Sequence, residues 1–150
     1  LPQNPNEYSD TDILHELIHE VQDELRILNY DKSSSNAEFQ AYLLDWLYCA
    51  IVYENGYAVY PPIGMSDAER DEMINHMTDH SGKDNDGSFW YDDEMISYIK
   101  SLDIQDMQNR FCKEAEDRDY PIGYYKHNDP NFEWKWEEIL SSLGINKKNK

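Results

Sequence analysis

Two histidines and a glutamate near the start of the chain carry its most specific chemical signal. In His15-Glu16-Leu17-Ile18-His19 the imidazoles are four residues apart, so on an α-helix they stack on one face, one turn from each other. That arrangement suits two nitrogen ligands on a zinc ion, with Glu16 polarising the ion's water.

A zinc site of this kind needs a third protein ligand. Glu38 follows His19 after 18 intervening residues and opens the run Glu38-Phe39-Gln40-Ala41-Tyr42-Leu43. Spacing and run together resemble the thermolysin-type zinc peptidases and some small gluzincins, whose glutamate ligand sits on the next helix. The resemblance covers about 30 residues and implies zinc held by His15, His19 and Glu38, with Glu16 as the catalytic residue. Glu38 also stands third after Ser35, where a capping box would place it.

The same stretch carries a second resemblance. Glu20 and Asp23, then 14 residues, then Glu38, with the run from His19 to Leu25, resemble the first metal-binding helix of the MazG-type all-α nucleotide pyrophosphohydrolases. That family implies magnesium held by carboxylates from two helices. Ala41 stands where the fourth carboxylate belongs, so the resemblance implies a degenerate relative. A third metal reading is calcium at Asp84-Asn85-Asp86-Gly87-Ser88, but placing Gly87 at the sixth loop position puts Gly82 at the first, and a solvated turn is the expectation. His76 and His80 repeat the four-residue step at a helix carboxyl end, where cationic side chains are ordinary.

These residues must be positioned by helices. Leu14, Leu17, Ile18, Val21, Leu25 and Leu28 recur at three- and four-residue steps, which predicts an amphipathic helix over 10–30 with His15, His19, Gln22 and Arg26 on a polar face that is solvent, cleft or interface. Ser35 and Glu38 predict a capped second helix over about 35–53, apolar all round apart from Gln40 and Asp45 and therefore central to the core. Asp45 there is a buried carboxylate in need of a partner. An extended segment is expected near 57–60, before Pro61-Pro62.

Ser66 and Glu69 form a second capping-box pair opening a third helix to about Thr78, followed by a polar loop over 81–88. A fourth helix over about 92–102 and a fifth capped by Asp103 follow, and after a Tyr-rich connection Asp129-Pro130 starts a sixth that carries Phe132, Trp136, Ile139 and Leu140 to Gly144. The fold class read from this pattern is all-α: a single-domain bundle of five to six helices spanning 1–150.

Charge supports a different function from the metal motif. The chain has 31 acidic and 13 basic side chains, a formal net charge of -18, and 12 Tyr, 4 Trp and 4 Phe. So strong a negative field disfavours direct binding of nucleic acid or anionic membranes, and the aromatic content argues against a disordered acidic tail. The Lys147-Lys148-Asn149-Lys150 end reads as a solvated terminus. No run of ~20 apolar residues marks a membrane span. Cys49 and Cys112 read as free thiols in helices, which with the absence of a leader pattern leads to a reduced, cytoplasmic protein as the expectation.

From charge and composition, the leading functional expectation is a small acidic protein-binding module. It would be an inhibitor or immunity-type protein that mimics nucleic acid and docks on a basic partner such as a nuclease. Its surface would comprise Asp12, Glu16, Glu20, Asp23, Asp84, Asp86, Asp92 and Asp93, with Trp90 and Trp134 as aromatic anchors. No resident cofactor belongs to that reading. The zinc enzyme is the alternative and the pyrophosphohydrolase the second alternative.

Overall fold

A computed structural model of the chain describes residues 10–27, 35–53, 64–117 and 131–148, with the side chains of 10–12, 49, 50, 52 and 53 outside the description. The elements run α1 (Asp10–Glu24), α2 (Ser35–Tyr53), α3 (Asp67–His80), β1 (Ser81–Lys83), β2 (Phe89–Tyr91), α4 (Asp93–Ser101), α5 (Ile104–Asp117), α6 (Trp136–Ser142) and β3 (Ile145–Lys147). The protein is mostly helical, and it also contains a small sheet that corrects the all-α reading. The expected extended segment near 57–60, Leu28, the Asp129-Pro130 cap and the Tyr-rich connection lie outside the described residues.

α2 is central as expected. Ala37, Phe39, Ala41, Leu43, Leu44, Trp46, Leu47 and Ile51 are all buried, and α1, α3, α5 and β1 pack on it. Asp45 is buried among them. No helix among the described residues is long and apolar enough to cross a membrane.

α1 stops before the expected residue 30. Ile27 N–H donates to Gln22 O and Arg26 N–H to Asp23 O, both in the left-handed stop in which Arg26 has φ 61°; this is the Schellman arrangement, here without its usual glycine. The orientation of α1 is also different from that expected. Leu17, expected in the buried stripe, is 45% exposed and Ile13 is 60% exposed, whereas His15 and Gln22 on the polar face are buried, which makes that face an interface and not solvent surface. Hydrogen-bonding partners on α2 draw the polar side chains inward.

The two capping-box pairs have opposite outcomes. Ser66 caps α3 through its side chain, which accepts from Glu69 N–H, while the Glu69 carboxylate accepts from Ser66 N–H. Ser35 instead lies inside α2, and its hydroxyl accepts from Gln108 Nε2 of α5 at 2.7 Å. Gln108 Oε1 in turn accepts from Asn36. The Glu38 carboxylate faces α1, within 2.7 and 3.2 Å of the His15 and His19 imidazoles.

The sheet has the order β1-β2-β3, with β1 and β2 antiparallel and β2 and β3 parallel. The expected loop over 81–88 is the first strand and turn of a hairpin: Asp84 N–H donates to Ser88 O and Gly87, at φ 89°, donates to Asp84 O. Asp103 caps α5 as expected, and Asp92, expected as the first residue of the fourth helix, is instead its cap. α6 starts only at Trp136, because 131–135 run as a non-helical strap in which Trp134 stacks on Trp136 at 5.3 Å. Its buried residues include Trp136, Ile139 and Leu140, and Gly144, with φ 83°, then turns the chain into β3. Cys112 is free and half-buried, and burial pushes its thiol up.

Candidate metal centre

α1 and α2 pack against each other and bring three ligand atoms to one point. His15 Nε2 lies 2.7 Å from Glu38 Oε1, His19 Nε2 lies 3.2 Å from Glu38 Oε2, and the two Nε2 atoms are 3.1 Å apart. Among the described residues, His15, His19 and Glu38 are the one grouping of three His, Cys, Asp or Glu side chains able to hold a metal ion. Ligands at zinc bond lengths of ~2.0–2.1 Å in tetrahedral geometry stand about 3.3 Å from each other. Two of the separations, 3.1 and 3.2 Å, are close to that edge, and the 2.7 Å between His15 and Glu38 is a hydrogen-bond distance that would lengthen around an ion.

The rings are oriented for this convergence. His15 and His19 meet edge to face, 4.7 Å apart at 87°, and Tyr42 from the next turn of α2 covers His15 at 4.3 Å. His15 and Glu38 are buried while His19 is partly exposed, so one side of the cluster opens to solvent. A catalytic zinc site requires such an opening, because three protein ligands leave the fourth position for water or substrate. Glu16, exposed on α1, follows His15 directly, and its charge is felt at His19.

Electrostatics binds the three groups into a unit. Burial pushes the Glu38 carboxyl up, but hydrogen bonds from His15 and His19 and their charge outweigh it and hold the group down at about 2. Burial likewise pulls the His19 imidazolium down, yet the hydrogen bond and charge of Glu38, with Gln22 and Glu16, raise its pKa overall. One strain remains. Among the described residues His15 Nδ1 is buried without a hydrogen-bond partner, and such an orphan costs about 1–3 kcal/mol, a cost that tends to be retained at functional sites.

Gln22, on the same polar face as the two histidines, belongs to the site. Its Oε1 lies 2.8 Å from His19 Nδ1. The signal was its position three residues after His19, which places it on the same face one turn on.

The expected docking residues are spread over α1, the β1–β2 hairpin, the start of α4 and the strap before α6. Glu16, Glu20 and Asp23 are exposed on α1, and the Asp12 side chain lies outside the described residues. Asp92, expected outside, is buried: its carboxylate caps α4 and bonds His80 Nδ1 at 2.9 Å. Trp134 is half-buried in the stack of Phe132, Trp134 and Trp136 rather than displayed. Trp90 is half-buried, with Lys148 Nζ 4.8 Å from its ring.

Asp84 pairs with Lys148 at 2.9 Å and Asp93 with Lys147 at 2.6 Å, so those two lysines are tied to the acidic clusters and are not a loose end. Asp86 is exposed and turned back onto Ser88 N–H. Glu20 and Asp23 stay out of the metal grouping, as do the Asp84–Ser88 turn and His80. His76 stacks on Tyr98 at 3.9 Å. Comparison with protein-family models, with curated proteins and with solved structures gives no match to this chain.

Proposed function

We propose that the protein is a zinc-dependent hydrolase of the peptidase class, with His15, His19 and Glu38 holding the ion and Glu16 as general base. The observation that carries this reading is the convergence of His15 Nε2, His19 Nε2 and both Glu38 oxygens at 2.7–3.2 Å, contributed by two helices. When bound, zinc lowers the pKa of water and polarises a carbonyl oxygen. Glu16 removes the proton from the attacking water and returns it to the departing amine nitrogen, so that one C–N bond breaks as one C–O bond forms. Glu38 supplies the single negative charge of the ligand set.

The test is metal content followed by cleavage. Protein prepared without chelators should carry about one zinc per chain, lost in His15→Ala, and should cut members of a mixed peptide library. A protein that neither retains nor takes up zinc ends this reading.

A second reading is favoured by the outward face of α1, where exposed Ile13 and Leu17 lie among exposed Glu20, Asp23 and Glu24. An apolar pair ringed by carboxylates suits a basic protein partner. Association should slow with added salt and with Glu20→Lys and Asp23→Lys together, and a salt-independent rate would exclude it.

A further inference from the structure

We propose that Gln22 is a positioning residue that fixes His19 in the Nδ1–H tautomer and so aims the Nε2 lone pair at the metal point; this rests on the zinc reading above. Gln22 Nε2 donates to the backbone carbonyl of Ala37 at 3.1 Å and to Gln40 Oε1 at 2.9 Å. Gln40 Nε2 donates to the backbone carbonyl of Trp134. Both glutamines have no exposed surface.

A backbone carbonyl can only accept, so the Gln22 atom facing Ala37 O must be its NH₂ group, and the Gln40 atom facing Trp134 O must be its own. Neither amide can flip without setting oxygen against oxygen in a buried site. Gln22 Oε1 is therefore the atom that meets His19 Nδ1, and because an amide oxygen only accepts, Nδ1 must carry the proton. In the neutral ring that leaves Nε2 as the lone-pair nitrogen at the metal point, whereas in the imidazolium both nitrogens are protonated and Nε2–H donates to Glu38 Oε2 at 3.2 Å.

The hydrogen bonds run one way, from His19 through Gln22 and Gln40 to Trp134 O. Aligned donors polarise each other, which makes His19 Nε2 a better electron donor, the effect by which partners of metal-ligating histidines raise ligand basicity. Ala37 immediately precedes Glu38. The Gln22 bond to Ala37 O thus also ties the helix bearing the imidazoles to the turn bearing the carboxylate.

The direct test is the tautomer of His19 in metal-free, ¹⁵N-labelled protein, read by long-range ¹H–¹⁵N correlation at a pH where the ring is neutral. The expected spectrum shows a protonated Nδ1 and an unprotonated Nε2, against the Nε2–H form that neutral histidine prefers in water. An Nε2–H spectrum overturns the proposal. In Gln22→Met, which keeps length without hydrogen bonding, zinc affinity measured against a chromophoric chelator should fall about 10–100-fold. Unchanged affinity in a folded Gln22→Met protein also overturns it. If that variant does not fold, the spectrum of the unmodified protein still decides. Failure of the unmodified protein to bind zinc, with His19 in the Nδ1–H form, would reject the zinc reading and leave control of the tautomer by Gln22 standing.

Discussion

Replacing Glu38 with glutamine separates its two roles, because the metal-free protein and the zinc-loaded protein respond for different reasons. In the metal-free protein the carboxyl is held at about 2 against an ordinary 4.5. At ~1.4 kcal/mol per pK unit that difference corresponds to about 3 kcal/mol of preference for the carboxylate, little screened because the side chain is only 10% exposed. A glutamine still accepts one hydrogen bond, so the net loss should be about 1–3 kcal/mol. For a chain of this size that lowers the unfolding temperature by roughly 3–10 °C.

The pH of the measurement matters. The Glu38 contribution is present above its unfolded pKa and is lost as pH falls toward 2; that of His19, whose pKa is raised, is present below 6.5 and is lost as pH rises through its folded value. Calorimetry near about pH 6, in chelator, therefore reads the full deficit. Zinc at a hundred times its dissociation constant should then stabilise the unmodified protein by about 2.7 kcal/mol and the Glu38→Gln protein far less. If the substitution raises the metal-free unfolding temperature, or zinc shifts both proteins equally, Glu38 is not the third ligand.

Other outcomes follow from the same geometry. Glu16→Gln should keep its zinc and lose turnover by about 10²–10⁴-fold, mainly in kcat, since the exposed side chain supplies proton transfer and no ligand; steady-state kinetics beside metal analysis checks this. Glu69 accepts from both Arg110 guanidinium nitrogens at 2.7 Å, and this bonding holds its carboxyl at about 2. Its folded pKa is lowered, so the stabilisation is present above 4.5 and lost as pH falls toward 2. With both side chains a third exposed, solvent screening reduces it to about 1 kcal/mol, and Arg110→Ala should flatten acid unfolding by that amount. Gly64→Ala should cost well over 2 kcal/mol, combining positive-φ strain with a Cβ 2.6 Å from Phe111 N, whereas Gly144→Ala meets open space and should cost about 1 kcal/mol; urea unfolding of the two variants measures the contrast.

The helices were legible because their periodicity spans many residues, and the strands were not. β1, β2 and β3 have three residues each, too few for an alternating pattern to show, and β3 pairs with a strand more than fifty positions earlier. The histidine pair was legible as spacing within one helix. Glu38 was ambiguous for a physical reason: Ser35 and Ser66 begin the same four-residue signature, but the Glu38 carboxylate bonds His15 and His19 across the helix pair, a contact no local spacing reveals. The role of Gln22 was not legible because a polar side chain on a helix face fits solvent, cleft or interface alike, and the partners that decide it, Ala37 O and Gln40, are 15 and 18 residues away.

The acidic surface and the metal centre are also connected through electrostatics. Two neutral imidazoles and one carboxylate would leave a bound dication with a net charge of about +1, so the ligand set by itself does not fully neutralise it. The remainder is offset by the field of a chain whose formal charge is -18, with Glu16, Glu20 and Asp23 exposed on the same helix as the two imidazoles. Such a field raises the local concentration of cations and of basic polypeptide alike, and it does so over about a Debye length, roughly 8–10 Å. Asp84 and Asp93 contribute less, since Lys148 and Lys147 neutralise them at close range. The exposed carboxylates of α1 would therefore serve a hydrolase drawing in basic substrates as well as a binding module.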